Sequence, residues 1–468
     1  MTVILRIIAL TLSCGGPQSQ PQALLPGGLV AGVAVADITP PVGSRLCGYF
    51  NERVSTAVHD PLQAKAVVFA QGDTQMALVF CDLISITHEV SSRARDLASR
   101  KTGIPAANIA IVGTHTHTGP LYADALRDHL HKVAIAKHGR DPCEAVDYPA
   151  VLVDRLAEVI ARAKAAARPA SLQAGSIAQT PLLSFNRRFH VKDGSVRFNP
   201  GQMNPDIVRP AGPIDPSVSI LLLSDADTDR RLASLTSFAL HLDTTGGTQY
   251  SADYPFYLEQ ALRQSWGPEL VSLFGTGCCG DVNHIDVTVK GRRTAQEIGT
   301  QLANTVQAAL PKLRPIDQPA LAAKSATVDA PLQQFSPQEL AKAEKDMDAI
   351  GGTKMAFLDQ VKAYKIVSLG RLKGPTLPLE VQAFRLGPDL AVVTLPGEVF
   401  VEFSLAIKQA SPFKTTFVIE LANDSIHYVP TKKAFAEGSY ETVNSMIEPG
   451  GGEMMTAAAI GALKSLAP

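Results

Sequence analysis

The chain has 468 residues, of which 46% are hydrophobic and 19% charged, and its net charge is −1. This balance is typical of a folded globular protein and excludes a disordered chain. Basic residues form no stripe or tail, which excludes a nucleic-acid partner, and no apolar run is long enough to predict a transmembrane helix.

The N-terminus, residues 1–27, predicts an export signal followed by a spacer. It begins with one arginine, a short apolar run and small residues around Cys14, and continues into a stretch rich in Pro, Gly and Gln. This order is typical of exported proteins, so we expect a periplasmic, secreted or lipid-anchored protein. Cys14 is a candidate for lipid attachment, which would give peripheral association with a membrane. The alternative is a frayed N-terminus without a targeting role.

Strand-like runs recur from there to position 421. Several are continuously apolar, which is typical of strands that are covered on both faces. The predicted strands are 33–38, 64–70, 76–83, 109–114, 218–224, 232–240, 271–276, 379–386, 390–395 and 415–421.

Helical periodicity appears between these strands. The predicted helices are 89–103, 150–167, 293–310 and 336–350. Ser336 and Glu339 have the spacing of a capping box at the start of the last one. The segment 311–376, rich in Lys and Ala, is either a helical excursion or a boundary. Strands interleaved with helices predict an α/β fold with mixed β-sheets covered by helices, in one domain over residues 28–468.

Two histidines follow the strand predicted at 109–114. In GTHTHTGP, His115 and His117 are separated by one residue, and in extended backbone such residues point to the same face. Neutral imidazole suits zinc, so the pair is a candidate for part of a metal site. A hydrogen-bonded pair of histidines in a polar pocket is the alternative.

Two further polar residues follow apolar strands in the same way. His241 ends the run in LTSFALHLDTTGG, and Glu398 comes directly after Pro396-Gly397 in TLPGEVF. Catalytic groups of α/β proteins commonly lie in loops beyond strand ends. For Glu398 the alternative is a glutamate at a helix start, where it is stabilised by the helix dipole.

Eight motifs occur in a fixed order from about Val33 to the C-terminus. They are DITPPVG, HDPLQAKAVVF, GTHTHTGP, FNRR, FALHLDTTGG followed by SADYP, GTGCCGDVN, LPGEVF, and YVPTKKAFAEGSYE. Together they resemble the catalytic domain of the neutral/alkaline (non-lysosomal) ceramidases. The resemblance implies a ceramidase-like fold, a Zn²⁺ cofactor and a small-molecule or lipid N-acyl substrate. Known members carry an additional immunoglobulin-like C-terminal domain, which we do not expect here.

The resemblance also implies which residues bind the zinc ion. It assigns His115, His241, Glu398 and Tyr440 as the ligands, although Tyr440 by itself would be assigned to surface packing. His117 is then a residue beside the metal that contacts the substrate, while strand geometry alone also allows it to be a ligand.

Three further residues have implied or candidate roles in catalysis. Arg187 of FNRR would orient a substrate carbonyl or carboxylate. Asn283 stands where the ceramidases carry a serine; it cannot be a hydroxyl nucleophile, but its amide can donate a hydrogen bond to an oxyanion. The predicted catalytic residues are therefore His117, Arg187 and Asn283. Asp253 of SADYP is a candidate for proton transfer or, alternatively, a turn-forming residue.

These features predict a zinc-dependent amidase or esterase that uses zinc-activated water. One alternative is a zinc hydrolase for a smaller polar substrate such as an acylated sugar, and another is a zinc-containing binding protein without turnover. A long apolar groove would favour an acyl chain, whereas a short polar cup would favour a sugar or a small amide.

Overall fold

Two β-sheets carry the fold of residues 28–467, the part of the chain that the computed structural model describes. The export-signal prediction and Cys14 lie outside these residues. The architecture is mixed α/β, as predicted. Among the described helices none has both the length and the apolar character needed to cross a bilayer.

The first sheet has nine strands and is mostly antiparallel. Only its two outermost pairs are parallel, and the helices Tyr254–Trp266 and His88–Thr102 form the crossovers that such pairs need. The strand order is Val271–Thr276, Arg231–Phe238, Ser217–Asp225, Arg168–Ala178, Val30–Asp37, Gln63–Gln71, Thr74–Cys81 and Ile109–Gly113, with Arg314–Pro315 also beside Arg168–Ala178.

The second sheet has four strands and lies later in the chain. Its last two strands are parallel and are joined through the helix Val401–Ala410. The order is Ala322–Pro331, Thr376–Gly387, Leu390–Thr394 and Thr415–Ile419.

The two sheets pack face to face through one shared apolar core. Phe69 and Phe80 of the first sheet belong to the same buried cluster as Phe384 and Phe417 of the second. Alternate side chains of the first sheet, such as Val68, point outward beneath helices. Both faces of most strands are therefore covered, which explains why their sequences are continuously apolar.

Helices cover the outer faces of both sheets. The helices are His88–Thr102, Ala125–His138, Tyr148–Ala165, Tyr254–Trp266, Ala295–Ala309, Pro337–Asp346, Phe357–Gly370, Val401–Ala410, Lys432–Glu437, Tyr440–Val443 and Gly451–Ser465. Short 3₁₀ turns are Ala106–Asn108, Leu310–Lys312 and Met347–Ala349. Short strands are Arg45–Leu46, Arg53–Val54, Ala57–Val58, Phe185–Asn186, Arg188–Val191, Val196–Phe198, Ile207–Pro210, Gln249–Tyr250, Val282–Asn283, Glu398–Val399 and Tyr428–Val429.

All the strands and helices predicted from the sequence are present. The capping box of Ser336 and Glu339 is formed at the start of the helix Pro337–Asp346. Segment 311–376 contains the strand Ala322–Pro331, which pairs along its length with Thr376–Gly387 of the second sheet. The rest of the segment forms a helical excursion.

A buried ion pair joins the first sheet to a covering helix. Lys65 Nζ lies 2.5 Å from Glu259 Oε2, and the two side chains are 10% and 4% exposed. Replacing Glu259 with alanine should cost about 3 kcal/mol of unfolding free energy, because it leaves the buried ammonium unpaired. Urea denaturation measures this loss.

The matched control is Glu158→Ala, which removes a carboxylate 3.3 Å from Lys101 where both side chains are about half exposed. That substitution should cost no more than about 1 kcal/mol. Equal losses in the two variants would contradict the assigned role of the Lys65–Glu259 pair.

Candidate metal centre and active site

Three loops at the carboxyl ends of parallel strands meet at one edge of the molecule. They follow the strands Ile109–Gly113, Arg231–Phe238 and Leu390–Thr394. Two bridges, between Val112 and Ala422 and between Gly277 and Ile419, link the first of these strands and the segment after Val271–Thr276 to the end of the strand Thr415–Ile419. Polar residues that are far apart in the sequence are thereby brought to one place, as expected for α/β folds.

The backbone turns at His115, which lies two residues beyond its strand with a φ of +78°. The extended arrangement predicted for His115 and His117 is therefore wrong, since this left-handed conformation is rare for a residue with a side chain. The two rings meet nevertheless, and their Nε2 atoms are 3.4 Å apart.

Backbone carbonyls fix the orientation of two imidazole rings. His115 Nδ1 donates to Ile84 O at 2.8 Å, and His241 Nδ1 donates to Cys279 O at 3.2 Å. In its neutral form each ring therefore carries its lone pair on Nε2, and the two Nε2 atoms are 2.9 Å apart. Facing lone pairs at this distance repel unless a cation or a proton lies between them.

A carboxylate completes this cluster. Glu398 Oε2 is 3.3 Å from His115 Nε2 and 3.6 Å from His241 Nε2. The same oxygen is buried and accepts no hydrogen bond from any described residue. Burial opposes ionisation, but the adjacent His115 ring holds the pKa of Glu398 well below its usual range.

The donor set fits a divalent cation such as Zn²⁺. One ring nitrogen from each of His115, His117 and His241 lies within 4.8 Å of those of the other two. Two imidazoles with fixed tautomers and one unpartnered carboxylate oxygen are the ligand types of catalytic zinc sites. The fit therefore depends on the chemistry of these side chains as well as on their proximity.

His117 is the third imidazole of the cluster. Its Nδ1 is buried and has no partner among the described residues. Burial, together with the charge of neighbouring His115, lowers the pKa of His117 to about 4, so the ring is neutral at neutral pH. The geometry is compatible both with a metal ligand and with a substrate contact.

Arg187 is held beside the cluster by four protein groups. Its Nε donates to Glu441 Oε1 at 2.8 Å, and its Nη2 donates to Gly280 O and to the Tyr428 hydroxyl. Its Nη1 lies 3.3 Å from His241 Nε2. The guanidinium is thus fixed with one nitrogen next to the imidazoles.

Tyr440 reaches the same cavity as Glu398. Its ring lies beside Phe198 at 4.7 Å and beside Phe357 at 5.6 Å between centroids. Burial and the nearby charge of Glu398 raise the pKa of Tyr440 to about 12.

Tyr428 also contacts the carboxylate, since its hydroxyl donates a hydrogen bond to Glu398. The sequence analysis gave this residue no role, although it begins the motif YVPTKKAFAEGSYE.

Two sequence candidates are engaged in structural contacts. The Asn283 side chain is fully buried, donates to Asn199 Oδ1 at 2.9 Å and accepts from Ile285 N, so its amide lies behind Asn199. Asp253 caps a helix by accepting from Tyr254 N, and it also accepts from Thr244 N. These contacts match the turn-forming alternative for Asp253.

The sequence analysis overlooked a buried glutamate behind the cluster. Glu420 accepts from Cys279 N at 3.1 Å and from Val399 N at 2.5 Å. One carboxylate therefore joins the segment of Cys279, whose carbonyl accepts from His241, to the segment of Glu398. Burial raises the pKa of Glu420 to about 8. It directly follows the strand Thr415–Ile419, but the sequence analysis included it in the strand predicted over 415–421.

A second polar pair lies next to His241. Asp243 Oδ1 is 3.0 Å from His284 Nδ1. Burial opposes the ionisation of Asp243, but the hydrogen bond with His284 keeps the pKa of the carboxyl below its usual range. The pair was overlooked because its members are far apart in the sequence.

A cluster of His131, Asp141 and Glu144 also has the composition of a metal site. Its carboxylates are already paired, however, since Arg45 Nη1 lies 2.6 Å from Asp141 Oδ2 and Arg127 Nε lies 2.7 Å from Glu144 Oε1. The cluster is therefore an ion-pair network.

Two cavities open at the imidazole cluster. The narrow cavity, which contains His115, His117 and Glu398, has a volume of about 120 Å³. The cup, which contains His117, His241 and Arg187, has a volume of about 490 Å³. Tyr440 lines both, so the two cavities meet at the site.

Comparison with known proteins confirms the resemblance found in the motifs. Residues 29–252 match the model of the family described as neutral/alkaline non-lysosomal ceramidase, N-terminal. The fold is similar to that of a crystal structure of neutral ceramidase from Pseudomonas aeruginosa, with a TM-score of 0.70 and 19% identity over 94% of this chain and 74% of that one. A structure described as ceramidase complexed with C2 is similar at a TM-score of 0.68 and 19% identity, over 94% and 76% of the chains. A comparison with curated proteins found no match.

A close backbone approach at Gly280 gives a test of the cluster. A Cβ atom at this position would lie 2.5 Å from Glu398 O. Gly280→Ala should therefore displace Glu398 and weaken zinc binding about tenfold or more, as measured by competition with a chromogenic chelator.

Gly246→Ala is the matched control, because nothing lies within 4 Å of a Cβ atom at that position. Its zinc affinity should equal that of the unmodified protein. Unchanged affinity in Gly280→Ala would mean that Glu398 does not take part in binding the metal.

Proposed function

We propose that this protein is a zinc-dependent hydrolase that cleaves an amide (N-acyl) or ester bond. The observation that carries the proposal is the 2.9 Å approach of His115 Nε2 and His241 Nε2 beside the unpartnered Glu398 oxygen. The match of residues 29–252 to a ceramidase family model supports amide bonds as the class of substrate. Tyr440 is proposed as the fourth ligand, because it lines the same cavity as Glu398.

The chain supplies donors for a polarised carbonyl group. A zinc ion, when bound, lowers the pKa of a water molecule to about 7 and withdraws charge from a carbonyl oxygen. Arg187 is fixed with Nη1 beside the cluster, and His117 has a nitrogen without a protein partner. Both can donate hydrogen bonds to the oxygen on which negative charge develops. Asn283 is proposed to act indirectly by holding Asn199, which lines the cup.

The two alternatives from the sequence are a smaller polar substrate and a binding protein without turnover. The cavities favour the first over a long lipid, because they form a narrow cavity and a cup rather than one long apolar groove. The fixed guanidinium favours an enzyme over a binding protein, since its Nη1 lies beside the cluster where a polarised carbonyl oxygen would need a donor.

Removing the carboxylate should abolish both metal retention and turnover. In Glu398→Gln the amide is neutral and binds zinc poorly, so the purified variant should contain little zinc and hydrolyse an acyl-ester and amide panel at background rate. Elemental analysis and the panel, each run with and without chelator, measure this. The control is Glu402→Gln on the following helix, where the carboxylate lies 4.0 Å from Lys433 at the surface. Full zinc content and activity in Glu398→Gln would refute the proposal.

Substituting His115 and His117 one at a time distinguishes a residue that binds the metal from one that contacts the substrate. We expect His115→Gln to lose zinc, whereas His117→Gln should keep it and lose about 100-fold in kcat through a missing hydrogen bond in the transition state. Zinc content and steady-state kinetics of the two variants measure this. Loss of zinc from His117→Gln would instead make His117 a ligand.

A further inference from the structure

Asp243 is a carboxylate of the cup that has no role in the proposed reaction. It lines the cup together with His117, His241 and Arg187, and its side chain is 21% exposed. Among the described residues its one hydrogen-bond donor is His284, whose Nδ1 lies 3.0 Å from Asp243 Oδ1. The other carboxylate oxygen therefore has no donor within the described part of the chain and can accept a hydrogen bond from a ligand in the cup.

The loop that carries Asp243 is held on both sides of this residue. The carbonyl of Leu242 accepts a hydrogen bond from His117 N at 3.1 Å. On the other side, Thr244 N donates to the fully buried Asp253 carboxylate at 3.0 Å. Together with the buried imidazole partner, these contacts fix the position of the carboxylate, and a fixed position is what selective binding requires.

The charge of Asp243 is not used to neutralise a basic side chain of the cup. Although burial opposes ionisation, the hydrogen bond with His284 keeps the pKa of Asp243 below its usual range. The Arg187 guanidinium, which also lines the cup, is already paired with Glu441 at 2.8 Å. The cup therefore retains a negative charge, which favours cations and hydrogen-bond donors over anions.

The rest of the cup has a wall of aromatic rings. The rings of Phe198, Phe357 and Tyr440 pack side by side, with centroids 4.7, 5.6 and 6.2 Å apart and planes within 32° of parallel. Phe357 is 44% exposed and marks the side that is open to solvent. Aromatic rings attract ammonium groups through their faces and also cover the carbon atoms of an alcohol. This wall is therefore compatible with either kind of group beside the carboxylate.

The products of hydrolysis indicate which part of a substrate suits this cup. One water molecule adds across the C–N or C–O bond, so the acyl part leaves as a carboxylic acid and the other part as an amine or an alcohol. At neutral pH the acid is an anion and an alkyl amine is a cation. A fixed carboxylate repels the acid and attracts the amine. The cup therefore suits the amine or alcohol part.

We propose that the cup binds the amine or alcohol part of the substrate and that Asp243 selects a hydroxyl or ammonium group on that part. The free carboxylate oxygen accepts the hydrogen bond, His284 holds the carboxylate in place, and the ring wall covers the adjoining carbon atoms. Both groups offer an O–H or N–H donor, which a plain alkyl group lacks. This inference rests on the proposed hydrolase function.

A series of amides with amine parts of similar size tests the selection. The amines are ethanolamine, ethylenediamine, propylamine and β-alanine, each acylated with butanoyl and, in parallel, with dodecanoyl, so that the acyl group does not decide the result. For the zinc-loaded full chain, kcat/KM of the ethanolamine or the ethylenediamine amide should exceed that of the propylamine amide about tenfold or more. The β-alanine amide should be the poorest, because its carboxylate is repelled.

Two outcomes would overturn the inference. One is equal or faster hydrolysis of the propylamine or the β-alanine amide, and the other is turnover of acyl esters but of none of these amides. Absent or chelator-resistant hydrolysis of every amide and every ester would instead refute the proposed function.

Substitutions of Asp243 give an independent readout and separate the two donors. Asp243→Ala should reduce the preference for the donor amide over the propylamine amide about tenfold, because no side-chain oxygen remains. Asp243→Asn removes the charge but keeps an acceptor oxygen, so it should abolish a preference for ammonium and retain one for hydroxyl. The matched control is Asp286→Asn, since the Asp286 carboxylate accepts from Thr288 at the surface, outside the cup. An unchanged preference in folded, zinc-loaded Asp243→Ala would contradict the role of Asp243.

Discussion

The site depends on two imidazole lone pairs that are forced to face each other. Backbone carbonyls occupy the Nδ1 atoms of His115 and His241, so neither ring can turn its N–H toward the other without losing a buried hydrogen bond. A positive charge between the rings relieves the repulsion, and the adjacent Glu398 carboxylate neutralises part of that charge. The strained φ of His115 has a physical reason in this context, because it aims the ring at His241.

The surrounding fold explains how such an arrangement is maintained. Each of the three loops follows a strand of a parallel pair, and the shared core between the sheets fixes the distances among the strand ends. Glu420 reinforces this by accepting backbone N–H groups from the segments on both sides of the cluster. The candidate metal site is thus supported by the two sheets, while His115 and His241 themselves lie in loops beyond their strands, as is usual for functional residues.

The apolar strands were predictable because burial on both faces requires continuously apolar sequences. The helices were predictable because burial on one face requires apolar residues at helical spacing. The strand Arg168–Ala178 was not, since its polar and small residues alternate without an apolar run. Within the site, His115, His241 and Glu398 were recognisable as polar residues directly after strands. Their mutual distances were not predictable, because these depend on the packing of the two sheets. The turn at His115 had no sequence signal, since tertiary contacts alone stabilise it, and Glu420 was missed because it was included in the strand predicted over 415–421.

The proposed ligands come from two distant parts of the sequence, which has a consequence for recognising relatives. His115 and His241 lie within residues 29–252, the part that matches the family model, whereas Glu398 and Tyr440 lie beyond it. A homologous chain could match over that whole region and still have lost the carboxylate. A match to the family model therefore covers only the two histidines of the proposed metal site, and the carboxylate has to be looked for in the later part of the chain.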